Sequence, residues 1–372
     1  MAHFKDYNLR LMEPSFEPYR PAHPPDRRAA VLMSGGVDSS VTAHLLKEAG
    51  WDIVGVTMKI PTACDTQKRG CCGADAAFVC HELHIPHYFV DVVEAFESLI
   101  IQRFRNAYAA GQTPNPCVDC NTFLKFSLVW DLIEETFGIH HVATGHYAHV
   151  VATQNGPVLR RGADSAKDQS YFIYGIARER LGRLLLPLGE RTKGDVRGMA
   201  GQSNLSIAEK PESMELCFAG EADYRNALGP DEADRPGPLT DMTGHVIGTH
   251  KGISNYTLGQ RRGLGFAGGE PLYVGRIDPQ DNTVAIGTRP EVSRRDVRAT
   301  EFNVLLPAML KPRGRLSGKI RSYGQPHACT VTDVTPEGVA VEFDEPQFAP
   351  APGQRLVLYY ADEYVAGGGT IV

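Results

Sequence analysis

No apolar run in this 372-residue chain is long enough to cross a bilayer, which excludes a helical membrane protein. A basic excess is also missing: the net charge is −6, so the chain does not coat nucleic acid unselectively, although a local basic patch remains open. No GxxxxGK[ST] loop and no internal repeat occurs. Residues 1–28 are proline-rich and mix both charge signs. They lack the apolar core of a signal peptide and the acid-poor character of a transit peptide, and read as a flexible leader on a cytoplasmic protein. The eight cysteines, without a secretion signal, do not suggest a disulfide framework.

What is present is an ordinary globular composition, 42% hydrophobic and 22% charged, long enough for two or three domains. Ala29–Met33 is a buried-strand run, and Val37, Val41, Leu45 and Leu46 follow at helical spacing. Between them Ser34-Gly35-Gly36-Val37-Asp38-Ser39 is a glycine turn aimed at a helix N-terminus. Backbone N–H groups and the helix dipole make such a turn a hollow for phosphate or pyrophosphate. Ser34 and Ser39 add hydroxyl donors, and Asp38 could hold Mg²⁺.

Strands at Ile53–Met58, His87–Asp91 and His141–Thr144 alternate with helices over about 74–84, 94–110 and 121–137. This alternation predicts a parallel sheet with ligands at the C-terminal strand ends. Residues 150–162 read as a hairpin around Asn155-Gly156, and 171–203 as helical. From about Gly220, short β-type runs such as Leu272–Ile277 and Thr283–Ile286 imply a small, mainly β domain. After about Arg294, the runs Lys319–Arg321, Cys329–Val334, Val339–Phe343 and Arg355–Tyr360 imply a barrel of about six strands. The expected fold is α/β: a flexible leader 1–28, a parallel-sheet domain 29–219, a central domain 220–293 and a C-terminal β-barrel 294–372.

Gly263–Gly268 fits GxGxxG, but it lacks the preceding strand and following helix of a dinucleotide site. His81, His84 and His87 are three apart, yet Pro86 breaks the helix that would align them on a metal. Residues 158–200 carry nine Lys/Arg against five Asp/Glu, and 305–321 carry five against none, a pointer to RNA.

Two cysteine segments can carry chemistry. Thr113-Pro-Asn-Pro-Cys117-Val-Asp-Cys120-Asn121 is a proline-stiffened loop running into a helix that Asn121 can cap. Cys120 would then lie where the dipole lowers a thiol pKa. As CxxC, Cys117 and Cys120 are open to three readings: a redox pair, half a metal site, or one reactive thiol with a neighbour. Ala208 to Phe218 places Cys217 after a polar stretch holding Lys210 and three glutamates. Such a stretch suits a cysteine that carries sulfur and swings; the alternative is a buried strand thiol.

With Met33 to Ser39, Thr113 to Pro116, Cys120-Asn121, Ala143 to Ala148, Lys167 to Phe172, Glu215 to Phe218 and Gly252 to Gly263 in this order, the sequence resembles the tRNA-specific 2-thiouridylases from about residue 29 onward. These are ATP pyrophosphatases that thiolate the wobble uridine. The resemblance implies an ATP-pyrophosphatase (PP-loop) domain, a central domain and a β-barrel. It implies ATP at Leu32, Met33, Ser34, Gly35, Gly36, Val37, Asp38, Ser39, Met58 and Gly145, with Mg²⁺ helping pyrophosphate leave. The target base would meet Asn115, Pro116 and Cys117. Cys120 would be the nucleophile and Cys217 the persulfide carrier, with a Cys120–Cys217 disulfide as the alternate state. His146, Lys167, Asp168, Gln169, Arg321, Ser322 and Gln354 would touch the tRNA anticodon stem-loop. A relay protein or cysteine desulfurase would supply sulfur. An iron–sulfur cluster on Cys117, Cys120 and Cys217 is the other arrangement the resemblance allows. Some members carry aspartate where Cys117 stands, so no general acid is assigned. The rival readings are another PP-loop pyrophosphatase acting on a small molecule and an RNA-binding protein with a vestigial loop.

Overall fold

A computed structural model describes residues 3–61, 72–211, 216–219, 228, 235–264 and 269–372. The chain divides into two compact units, 1–100 with 117–221 and 101–116 with 222–372.

The first unit holds β1 (Arg10–Leu11), β2 (Arg28–Leu32), α1 (Val37–Glu48), β3 (Asp52–Lys59), α2 (Cys72–Glu82) and β4 (His87–Asp91). After a π-helix at Cys120–Val129 come α3 (Trp130–Phe137), β5 (His141–Ala143), β6 (Ala148–Thr153), β7 (Gly156–Arg161), β8 (Leu184–Leu185) and α4 (Lys193–Gln202). Parallel strands stand in the order β4-β3-β2-β5-β8, with β1 antiparallel on the β4 edge. In β2, Ala29, Ala30 and Val31 are fully buried. Both faces of this central strand are covered, which is why it reads as a continuous apolar run. Strand order reverses beside β2, between it and β5, and the glycine turn leaves β2 at that switch point.

Residues 3–28 correct an expectation. They are not a flexible leader: Phe4 and Leu9 are buried, β1 pairs with β4, and Ser15 N–H donates to His87 O at 2.9 Å. Asp52 Oδ2 accepts from Tyr19 Oη and from the Ala22 and His23 N–H groups. The helical reading of 171–203 also hid β8, a two-residue strand too short to show a period of two.

In the second unit β9 (Gly237–Asp241), β10 (Val246–His250), β11 (Tyr273–Asp278) and β12 (Thr283–Gly287) form one sheet in the order β10-β9-β12-β11. It covers a core of Leu239, Ile253, Tyr256, Leu264, Val274, Val284 and Ile286. β13 (Ser293–Val304), β14 (Arg315–Lys319), β15 (His327–Thr335), β16 (Gly338–Phe348), β17 (Arg355–Tyr360) and β18 (Tyr364–Ile371) follow. All neighbours pair antiparallel, and β13 bonds to both β16 and β18, closing a six-stranded barrel. Lys319 ends β14 where the expected strand began, and it is buried, 4% exposed.

Candidate active site

Gly35 adopts φ +70°, a left-handed conformation open to glycine, and Gly36 is the N-cap of α1. Gly36 offers no side-chain acceptor, so the first-turn N–H groups of α1 face outward without a side-chain cap. The turn is braced internally. Ser39 Oγ accepts from Ser34 N–H at 3.2 Å and donates to Gly36 O at 3.1 Å, while Ser40 Oγ donates to Gly36 O at 2.9 Å. Gly145 follows β5, and a Cβ there would lie 2.7 Å from Asp38 C and 2.8 Å from Ser39 N. Only glycine lets the two loops meet across the switch point. Leu32, Met33 and Met58 lie at the same C-terminal strand ends. The glycine turn, Met58 and Gly145 therefore lie together at the C-terminal ends of β2, β3 and β5.

Two lysines outside the turn provide the cations it lacks. Lys193, the first residue of α4, donates to both Asp38 oxygens at 2.7 and 2.8 Å, and Tyr147 Oη donates to Asp38 Oδ1 at 2.8 Å. Lys210 donates to Gly35 O at 2.8 Å and pairs with Asp75. Neither lysine sits in a recognisable phosphate motif; Lys193 comes 155 residues after Asp38 and only folding brings it there. Asp38 was expected as a Mg²⁺ ligand. Both of its oxygens are instead engaged by an ammonium and one also by a phenol, so this donor set does not fit a resident cation.

The sulfur residues also lie in this unit. Cys117 and Cys217 reach the surface, Cys120 is half-buried, and all three are free thiols. They lie within electrostatic reach of one another: Cys117 acts on Cys120, and both act on Cys217. Burial pushes all three thiols up, Cys217 to about 12, and the Cys217 anion is further disfavoured by Cys120 and Cys117. From its sequence, Cys120 is expected at a helix N-terminus, where the dipole lowers a thiol pKa. The helical segment begins earlier, at Pro116, so Cys120 sits one turn inside it and desolvation outweighs the dipole. Asn121 is no cap either: it is buried, donates Nδ2–H to Phe172 O at 3.0 Å and accepts from Lys125 Nζ at 2.9 Å. Residues 212–215 of the expected swinging stretch lie outside the described residues, as do Cys64, Cys71 and 265–268 of the GxGxxG match.

Several residues expected to touch RNA are committed to the protein. The Asp168 carboxylate, 1% exposed, accepts from Arg161 Nε and from the Gly162 and Ser170 N–H groups. Gln169 brackets Tyr147, accepting its N–H through Oε1 and donating its own N–H to Tyr147 O. These two hold the loop that presents Lys167, which is half-buried. His146 is bonded to Thr144 Oγ1 at 2.8 Å, and burial lowers its pKa to about 3. In the second unit, Arg321 donates to Ala349 O and lies 5.4 Å from the Phe348 ring centre, with Ser322 half-buried beside it. Gln354 Nε2 donates to Thr113 O, two residues before Asn115. The basic run 158–200 is largely neutralised: Arg160, Arg161, Arg180, Arg183 and Lys193 all sit in ion pairs. Of the spaced histidines, His87 is a satisfied core residue, bonded to Ser15 Oγ and Thr57 Oγ1.

Three family models match the chain, described as a tRNA methyl transferase HUP domain over 27–221, a tRNA methyl transferase PRC-barrel domain over 226–288 and an aminomethyltransferase beta-barrel domain over 294–371. Whole-length relatives decide the family. The tRNA-specific 2-thiouridylase MnmA of Heliobacterium modesticaldum is 43% identical over 92% of this chain and 91% of its own. Proteins of the same name from Desulforamulus reducens and Moorella thermoacetica are 41% and 42% identical, over 93% and 92% of this chain and 97% and 98% of their own. The chain belongs to the tRNA-specific 2-thiouridylase family. Membership favours the main reading over a small-molecule pyrophosphatase. Among the described residues no helix is long and apolar enough to cross a membrane.

Proposed function

We propose that the chain is an ATP-dependent tRNA-uridine 2-sulfurtransferase acting on the wobble uridine of an anticodon loop. What supports the reading is near full-length similarity to 2-thiouridylases, together with a phosphate hollow and three free thiols in one compact unit. ATP lies along Leu32–Ser39, with Met58 and Gly145 on the adenosine side. Lys193, Lys210 and the N–H groups at the start of α1 meet the charge of the departing pyrophosphate.

The uridine O2 is a poor leaving group, so it first attacks the α-phosphorus of ATP; an O–P bond forms and pyrophosphate departs. Single-stranded loops let a base splay out at small cost, and Asn115, Pro116 and Cys117 receive it. Cys217 is loaded with a terminal sulfur by a protein donor. Cys120, as thiolate, attacks Cys217 Sγ, giving a Cys120–Cys217 disulfide and hydrosulfide. Hydrosulfide adds to C2, the C2–O2 bond breaks, and AMP leaves carrying O2. A thiol reductant then returns two electrons to the disulfide. Lys167, held by the Asp168 and Gln169 loop, serves the RNA backbone.

Incubating the protein with unmodified tRNA, ATP and a persulfide donor, then analysing nucleosides by mass, tests the reading. It expects 2-thiouridine with one AMP per thiolated base. AMP formation driven by a small acid and indifferent to tRNA would replace it with the small-molecule reading.

A further inference from the structure

Sulfur transfer between Cys217 and Cys120 needs negative sulfur, yet their surroundings are hostile to it. Burial disfavours the anion at each thiol, and so do the neighbouring thiols and Asp119. One cation opposes them. Lys125 favours the charged form of Cys117, of Cys120 and of Cys217 alike, and disfavours protonation of His146, so its ammonium lies within electrostatic reach of all four groups.

Local geometry explains how it arrives there. Cys120–Val129 is a π-helix, in which backbone bonds run from residue i to i+5. On this segment the Lys125 side chain reaches back one turn to Asn121, the residue next to Cys120. The ammonium is then tethered: Nζ donates to Asn121 Oδ1 at 2.9 Å, and Asn121 is itself fixed by its bond to Phe172 O at 3.0 Å. A lysine tied to a neutral amide keeps its full charge for the thiols, whereas one paired with a carboxylate would not.

We propose that Lys125 is the counter-ion of the sulfur relay, its ammonium stabilising thiolate, persulfide or hydrosulfide as charge passes between Cys217 and Cys120. It is a positioning and electrostatic residue, and it rests on the reading above that these thiols handle sulfur. Among the described residues, the titratable groups that act on one another here are Cys117, Asp119, Cys120, Lys125, His146 and Cys217.

The test is alkylation of the full chain by iodoacetamide at about pH 8, following Cys120 and Cys217 separately by peptide mass. Well below a thiol's pKa the rate tracks the thiolate fraction, so losing a nearby cation lowers it by the same factor at every pH. Lys125→Gln is expected to slow both cysteines about tenfold, one pKa unit, and Lys125→Arg to stay within about twofold of the parent. Unchanged rates in Lys125→Gln would overturn the proposal. So would Lys125→Arg falling as far as Lys125→Gln, because the loss would then be one of packing. Neither ATP nor tRNA is needed, so a chain that made no 2-thiouridine could still pass this test.

Discussion

Replacing Lys193 by methionine removes one charge from the phosphate hollow and exposes another. Lys193 is 13% exposed and Asp38 33%, and the ammonium touches both carboxylate oxygens at 2.7 and 2.8 Å. Without it Asp38 keeps only the Tyr147 hydroxyl, and the hollow turns from neutral to negative. A unit charge about 5 Å from a phosphate, at an effective dielectric of about 20, is worth about 3 kcal/mol. Asp38 is one-third exposed, so solvent trims this. The expected outcome is a fall of roughly 100-fold in kcat/KM for ATP, with tRNA affinity unchanged. Adding Asp38→Asn restores neutrality and should recover about tenfold of that loss. Pyrophosphate release in the presence of tRNA is the assay. A folded Lys193→Met protein within about threefold of the parent would refute the reasoning.

Cys217→Ser should abolish 2-thiouridine formation while tRNA-dependent pyrophosphate release continues; normal thiolation would end the carrier role. Gly145→Ala puts a Cβ 2.7 Å from the Asp38 backbone, so it should cost about 1–3 kcal/mol in melting experiments and raise KM for ATP; an unchanged KM would separate the two loops. His87 is fully buried, and burial lowers its pKa from 6.5 to about 4. The unfolded chain therefore takes up a proton first, and stability should be lost as pH falls from 6.5 toward 4, by up to about 3 kcal/mol. Urea midpoints should show this slope flattening in His87→Gln; an equal slope in both proteins would assign the effect elsewhere.

Much of the first unit was legible because its signals are local. Each strand from β2 to β5 is an apolar run bounded by helical spacing, and the glycine turn announces its own conformation. The strands missed are those whose sequences hide their role. β18 contains Gly367, Gly368 and Gly369, which carry no strand signal; a Cβ on Gly367 would lie 2.4 Å from Asn303 O, and one on Gly369 2.5 Å from Thr300 O, so close approach of β13 demands glycine inside a strand. The cations of the hollow were invisible for a different reason, since Lys193 and Lys210 reach it only through the fold. Environment was misjudged where it is tertiary: the thiol of Cys120 is governed by burial, Asn121 is held by Phe172, and Lys319 is buried. The ordered leader was missed because Ser15 and Tyr19 find their partners on β3 and β4, 33 to 72 residues away.

The account turns on uridine O2 leaving as part of AMP. A tRNA transcript bearing ¹⁸O at the uridine 2-position, incubated with ATP and a persulfide donor, tests this directly. The account predicts ¹⁸O in the phosphate of AMP, in proportion to the 2-thiouridine formed. ¹⁸O released to water, with unlabelled AMP, would contradict it.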